Sequence, residues 1–455
     1  MPYSRFSAWV VGVAVVLSLL VHTARAQDTY VWTGDAGLNW NTNDANWQID
    51  GEGAHVAWID GNIARFTDAG EGAVTLTQDI VAHGLVFTAG RHFNASGGFL
   101  KLHIDSGGID GPGQELYFDT VGNQFQVVVT ADQTWHTYGS NIRFAAQNTT
   151  SAIATATDGL VLTITSTGGQ GGLRNFGHFS LADFNGTIRA HSGWVMLVTR
   201  LWYADNVLFD MMDNNTASAW TANSVSPQPI RGLINGGASG RANFYSNDQV
   251  EFVGVGTYSF AARLGPANRV LKSGPGTQIF TGALDHTGDT TITNGTLRIN
   301  GTHVNATNYT VQAGGTLGGT GTITFVESAL LTIEADGMLD PGADADAVGT
   351  LTLAGDVTLE EGAVYHWDFA GGDGDRVDVA GTLTLPMEAT LDVNLISGEL
   401  PRESTLMTFA SHSGATTLSG WEVVGAGGKE TVALDLEGNR VLLQVPPKGL
   451  MMIMR

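Results

Sequence analysis

Gly288-Asp-Thr-Thr-Ile-Thr-Asn-Gly295-Thr-Leu-Arg-Ile299 decides how this chain is read. On both sides of the second glycine, apolar or β-branched residues alternate with polar ones. That two-residue period marks a half-buried strand. The unit is a glycine, a strand, a second glycine seven residues on, and another strand. It returns as Gly355-Asp-Val-Thr-Leu-Glu-Glu-Gly362-Ala-Val-Tyr-His366 and as Gly186-Thr-Ile-Arg-Ala-His-Ser-Gly193-Trp-Val-Met-Leu197. Looser copies begin at Gly159, Gly321 and Gly381, with Ser166, Ser328 and Glu388 in the second place. One such unit has too small an apolar face to bury alone. Stacked units share a continuous core, and each backbone pairs with the coils above and below. Glycine at the corners is expected to supply the positive φ of a sharp turn. An array of β-sandwiches would also use many short strands, but it does not require a recurrent glycine pair. The pattern therefore predicts an all-β solenoid, with the sandwich array as the alternative. At about 22 residues and about 4.8 Å per coil, the rod is on the order of 90 Å long.

Composition narrows the possible functions. The chain has 455 residues, 61 glycines and no cysteine. Without cysteine there is no disulfide, thiolate zinc site, iron–sulfur cluster or cysteine nucleophile. Lys and Arg number 21 against 44 Asp and Glu, a formal net charge of −23. Such a chain is a poor partner for nucleic acid or anionic lipid, because phosphate binding rests on Lys and Arg. Residues 1–26 read as a secretory signal peptide. Arg5 is the basic start, Ala8 to Val21 the apolar run, and Ala24-Arg25-Ala26 the cleavage site. The run is shorter than the roughly 20 residues of a membrane span. Cleavage would leave a secreted, extracellular or cell-surface chain with no membrane span and a net charge of −25.

The mature chain divides softly. Residues 27–60 are rich in Trp and Asn and are expected to cap the open end of the stack. Residues 61–266 read as divergent coils, with an inserted loop near 205–240. Residues 267–445 are the regular coils, and 446–455 form a short tail.

Longer stretches carry a family likeness. Gly274-Pro-Gly-Thr-Gln-Ile-Phe-Thr-Gly-Ala-Leu-Asp-His-Thr-Gly-Asp-Thr-Thr-Ile-Thr-Asn-Gly-Thr-Leu-Arg-Ile-Asn300 resembles the autotransporter-associated β-strand repeat. Val311-Gln-Ala-Gly-Gly-Thr-Leu-Gly-Gly-Thr-Gly-Thr-Ile323 resembles its usual sequel. Ile333-Glu-Ala-Asp-Gly-Met-Leu-Asp-Pro-Gly342, Gly349-Thr-Leu-Thr-Leu353 and Gly374-Asp-Arg-Val-Asp-Val-Ala-Gly-Thr-Leu-Thr-Leu385 resemble the module that follows. Val31-Trp-Thr-Gly-Asp-Ala-Gly-Leu-Asn-Trp40 and Asn46-Trp47 look like the start of secreted bacterial proteins of this group. The resemblance implies a right-handed parallel β-helix in an exported or surface-exposed bacterial protein, and no enzyme activity by itself. One departure stands out. The repeats run to Val445, so the C-terminal membrane barrel of a true autotransporter is expected to be missing. The tail Pro446-Pro-Lys-Gly-Leu-Met-Met-Ile-Met-Arg455 resembles a sorting signal in outline, but a plain terminus is the simpler expectation.

Motifs for chemistry are scarce. The chain has no P-loop, no His-Glu-x-x-His and no Gly-x-Ser-x-Gly. Carboxylates gather at Asp340, Asp344 and Asp346, and again at Asp373, Asp375 and Asp378. The second group suggests a calcium turn, but Arg376 stands where that repeat needs an aspartate, and there is only one copy. A solvated turn is the expected reading, with no metal or cofactor. Trp32, Trp40 and Trp47 read as cap rather than sugar platform, while Trp202 and Trp220 are the candidate ligand-binding aromatics. The expected role is structural, adhesive or display, without catalysis. The expected partner is extracellular polysaccharide or the cell envelope. The rivals are a carbohydrate-active β-helix enzyme, hydrolase or lyase, and a glycan-binding protein. The enzyme would need an acidic pair in a groove across neighbouring coils, with open aromatics beside it.

Overall fold

The computed structural model describes residues 27–447, apart from 112, 114, 120–124, 146–151, 167–171, 176–178, 193–195, 198–200, 203, 213–217, 222–227, 238–239, 245–248 and 266–268. The expected signal peptide and most of the tail lie outside the described residues.

The alternating stretches are strands, and they stack in parallel. Val250, Val270, Thr290, Tyr309, Leu331, Val357 and Leu383 are successive partners in one row, at steps of 19 to 26 residues. A coil carries three strands. One comprises Thr290–Ile292, Gly295–Ile299 and Thr302–Ala306, and the next Tyr309–Val311, Gly315–Gly319 and Thr322–Phe325. The fold is a parallel β-helix. Stacked sandwiches would pair their strands mainly antiparallel, whereas the ladders here are parallel through the body of the stack. A 31-stranded sheet runs from Thr29 to Gln444. A six-stranded face spans the early coils, and a nine-stranded face runs from Thr257 to Val424. No described residue is helical.

Alternation sets the core. In Thr277–Phe280, Gln278 and Phe280 are buried while Thr277 and Ile279 face outward. Inward side chains from Tyr30 to Leu443 form one continuous cluster. Equivalent positions in successive coils repeat, so like side chains stack. Phe93, Phe118 and Phe144 lie ring on ring at 5.1 and 5.2 Å. Such stacking adds to the area buried by each ring.

The paired glycines divide the work differently from expectation. Second-position Gly295 and Gly362 do hold positive φ, 64° and 84°, and Ser328 holds 71° in the same place. First-position Gly186 and Gly355 do not turn the chain. A Cβ on Gly186 would meet the Leu160 carbonyl oxygen at 2.3 Å, and one on Gly355 the Phe325 side chain at 2.8 Å. They are needed for close approach between coils.

Antiparallel strands flank the parallel stack at each end. Thr29–Trp32 pairs antiparallel with Trp47–Ile49, which pairs antiparallel with His55–Val56. Beyond Glu403–Gly414 the same is true of Arg440–Gln444 and Thr431–Asp435. Trp32, Trp40, Trp47 and Trp58 are at most 1% exposed and pack on one another, with Trp47 and Trp58 ring centres 4.9 Å apart. Buried rings offer no stacking face to a sugar. The stretch 205–240, expected as an inserted loop, instead carries strands of the stack. Ala204–Asp210, Ser218–Thr221 and Gln228–Ile234 pair in parallel with neighbouring coils. Pro227 and Pro229 suggested a loop, but the coil pairing prevailed.

One polar cluster lies inside the core. The His286 and His303 rings are buried, 4.1 Å apart. His303 Nε2 donates to the His286 carbonyl at 2.9 Å, which leaves Nδ1 to accept from the Tyr309 hydroxyl at 2.7 Å. His286 Nε2 is 2.8 Å from the Thr290 hydroxyl. Burial holds both histidines below their ordinary pKa, and His303 depresses His286 further. Below about pH 6.5 the unfolded chain takes up protons that the fold refuses, so each histidine lowers stability as pH falls, by at most about 1.4 kcal/mol per pH unit. Between pH 7 and pH 5 the wild type should therefore lose more stability than a His286→Gln variant, by up to about 2 kcal/mol. Urea unfolding at both pH values checks this, and equal pH dependence in the two proteins would contradict it.

Candidate functional site

The nine-stranded face presents its outward residues in rows. One row is Thr257, Thr277, Thr296, Thr316 and Met338. The next is Ser259, Ile279, Arg298, Gly318 and Asp340. His366 and Asp392 pair on the two coils beyond, as do Asp368 and Asn394.

Gly318 gives the second row its function. It places no side chain between Arg298 and Asp340, and a Cβ there would stand 2.7 Å from Arg298 Nη1. Arg298 thus reaches over one coil to the next. Its Nη1 donates to the carbonyls of Asp340 at 3.1 Å and Gly342 at 2.9 Å, and its Nη2 donates to the Asp340 carboxylate.

Residues 342–349 then form a longer connection than the neighbouring coils have, and it folds over this face. Asn300 Nδ2 donates to the Ala343 carbonyl at 2.9 Å, and the Gly349 N–H donates to Asp375 Oδ1 at 2.6 Å. Arg298, Asp340, Asp368 and Asp375 are buried as a result.

His366 sits among the acids. Its Nδ1 is 2.8 Å from Asp392 Oδ2, and its Nε2 is 3.4 Å from Asp368 Oδ1. Asn394 Nδ2 donates to Asp368 Oδ1 at 2.7 Å. Asp340 Oδ1 and Asp368 Oδ2 are buried without a hydrogen-bond partner. One oxygen from each of these carboxylates and a His366 ring nitrogen lie within 4.8 Å of one another.

The electrostatics follow from burial. Burial outweighs Arg298 and pushes the Asp340 carboxyl up to about 6. It raises Asp368 against the Asn394 hydrogen bond. It pushes Asp375 up to about 7 in spite of the Asp368 and Gly349 N–H donors. For His366, burial works against the charged form, but the Asp392 hydrogen bond and the fields of Asp340 and Asp368 prevail and raise it. The groove over these residues is about 510 Å³, and among the described residues no Trp, Tyr or Phe lines it.

The residues singled out from sequence fall elsewhere. Asp373, Asp375 and Asp378 do not face one point. Asp373 is exposed in a hairpin turn. Asp375 points inward onto the Gly349 and Asp368 N–H groups. Asp378 accepts from Arg376 at 2.8 and 2.9 Å and from the Thr408 hydroxyl at 2.8 Å. Trp202 and Trp220 stand on Leu201–Trp202 and Ser218–Thr221, and their side chains lie outside the described residues. Asp340 does join the site, while Asp344 and Asp346 lie exposed at its rim. Arg298, His366 and Asp368 went unnoticed. A faint signal existed for the last two, because residues two apart on a strand share a face.

The family comparison falls on these coils. The model described as the passenger-associated-transport-repeat matches residues 270–299, which end on the strand that carries Arg298. This is an autotransporter-passenger-like repeat protein. Its chain is also similar to the "Adhesin BmaC autotransporter" of Brucella suis biovar 1 (strain 1330), 33% identical over 172 residues. That alignment covers 36% of this passenger-like chain and 5% of the adhesin, so the chain spans a small part of its relative's length.

Proposed function

We propose that this passenger-like protein acts at the bacterial cell surface or outside the cell as an adhesin-like rod, without catalysis. The observation that carries the reading is the stack itself, whose coils include the passenger repeat at 270–299. A rod of parallel coils holds a long outer surface away from its attachment point and needs no active site to do so. Similarity to an adhesin over 36% of the chain supports the same role. The groove on the nine-stranded face has acids across neighbouring coils but no aromatic platform, which favours adhesion over a polysaccharide-cleaving enzyme. The partner class is extracellular polysaccharide or the cell envelope, and nucleic acid is not expected for a chain of net charge −23.

Beads coated with the purified full chain test the role against host cells, matrix proteins and a panel of polysaccharides. Saturable binding to one of these surfaces, with no new reducing ends and no unsaturated sugar product, is expected. Release of such products would replace the adhesin with an enzyme. Binding no stronger than that of albumin-coated beads on every surface would overturn the adhesive role.

A further inference from the structure

We propose that Asp340, His366 and Asp368 form a binding site for one divalent transition-metal ion of the Zn²⁺ or Mn²⁺ class, held on the nine-stranded face beneath residues 342–349. Three observations converge on it. The first is convergence of donors: the three residues come from two consecutive coils and bring one ligand atom each to within 4.8 Å of one another.

The second is the pair of orphaned oxygens. Buried polar atoms in native proteins nearly always have a partner, and an exception calls for an ion or a water. Asp340 is 6% exposed and Asp368 fully buried, yet each keeps one carboxylate oxygen without a hydrogen bond. Two such atoms in one three-residue cluster favour a cation at this site.

The third is the supporting layer. Each proposed ligand is fixed from behind by another side chain. Arg298 holds the Asp340 carboxylate, Asn394 holds Asp368 Oδ1 at 2.7 Å, and Asp392 holds His366 Nδ1 at 2.8 Å. A carboxylate on one ring nitrogen, with the other turned toward the remaining ligands, is the arrangement that orients metal-binding histidines, and here His366 Nε2 faces Asp368 Oδ1 at 3.4 Å. Charge agrees as well. Asp340, Asp368 and Asp392, with Asp375 behind them, outnumber the single guanidinium of Arg298, an excess of acid that suits a cation.

The donor set selects the metal. A ring nitrogen with two carboxylates suits zinc or manganese. Calcium prefers six to eight oxygens and gains little from imidazole. Bound there, the ion would tie together the coils carrying Met338–Pro341 and Val364–Ala370 and fix the loop between them.

Titration calorimetry of the full chain, stripped with EDTA, tests this with ZnCl₂, MnCl₂ and CaCl₂ as separate probes. A single tight Zn²⁺ or Mn²⁺ site, with Ca²⁺ at least about tenfold weaker, is expected. Asp368→Asn and His366→Gln should each weaken it at least about tenfold, and Asp392→Asn by about 10- to 100-fold. Should those variants fail to fold, pulsed electron paramagnetic resonance of Mn²⁺ on the wild type must show coupling to a histidine nitrogen. Absence of that nitrogen, absence of uptake, or equal uptake by folded His366→Gln would overturn the proposal.

Discussion

Gly301→Val is expected to destabilise the protein by about 3 kcal/mol, with the loss centred on its own and adjoining coils. Gly282, Gly301 and Gly321 occupy the same corner on successive coils. A Cβ on Gly301 would lie 2.0 Å from the Gly282 carbonyl oxygen and 2.7 Å from that of Thr281. The next glycine repeats the constraint, since a Cβ on Gly321 would lie 1.9 Å from the Gly301 carbonyl oxygen. These neighbours are backbone atoms and cannot rotate away. They are also held by the ladder, because the Gly301 N–H donates to the Phe280 carbonyl at 3.0 Å and the Thr322 N–H to the Gly301 carbonyl at 3.1 Å. The coils must separate locally to admit the side chain. Because each coil contacts mainly its neighbours, amide exchange should speed up between 280 and 325 and change little around Phe93 and Phe118. Gly53→Ala is the control: a Cβ there meets nothing within 4 Å, so stability should move by less than about 0.5 kcal/mol. Equal loss in both variants would remove the close-packed corner from the account.

Arg298→Met is expected to cost about 3–5 kcal/mol at pH 8 in metal-free protein. Arg298 is 2% exposed, and its guanidinium neutralises a buried carboxylate while satisfying the carbonyls of Asp340 and Gly342. Its removal leaves Asp340 as an uncompensated buried charge. The cost should shrink in mild acid. Asp340 is already pushed up to about 6 beside Arg298, and loss of the cation raises it further. As pH falls, proton uptake by the folded state removes the offending charge. The double variant Arg298→Met, Asp340→Leu should recover most of the loss at pH 8, since a buried pair replaced by apolar groups is often neutral. Urea unfolding of the three proteins decides it. A neutral single variant would show that the pair contributes nothing.

The fold was legible because the coil repeats its own rule. Gly295 and Gly362 mark turns that recur seven residues after another glycine, and most strands around them, such as Thr290–Ile292 and Asp356–Leu359, alternate buried and outward residues. The tryptophans at the start were read as cap because a solenoid's open end needs cover, and Trp32, Trp40 and Trp47 are buried. The stretch 205–240 misled because Pro227 and Pro229 suggested a loop, whereas a solenoid strand accepts Pro229 when its coil pairing is kept. The candidate site was hidden for a different reason. Arg298 lies 42 residues from Asp340, and the two meet only because Gly318 leaves the gap between them. Nor does sequence spacing show that residues 342–349 fold back and bury acids that alternation assigns to the outer face. Local motifs reveal chemistry placed along a chain, and a solenoid places its chemistry across the coils.

Small-angle X-ray scattering of the full chain tests the central claim, a single stack of parallel coils, most directly. A rod on the order of 90 Å long has a radius of gyration of about 26 Å from its length alone, and the cross-section raises it. A compact globule of 455 residues has about 22 Å. The account predicts a value above 26 Å with a pair-distance distribution skewed to a long tail. A symmetric distribution with a radius near 22 Å would contradict it.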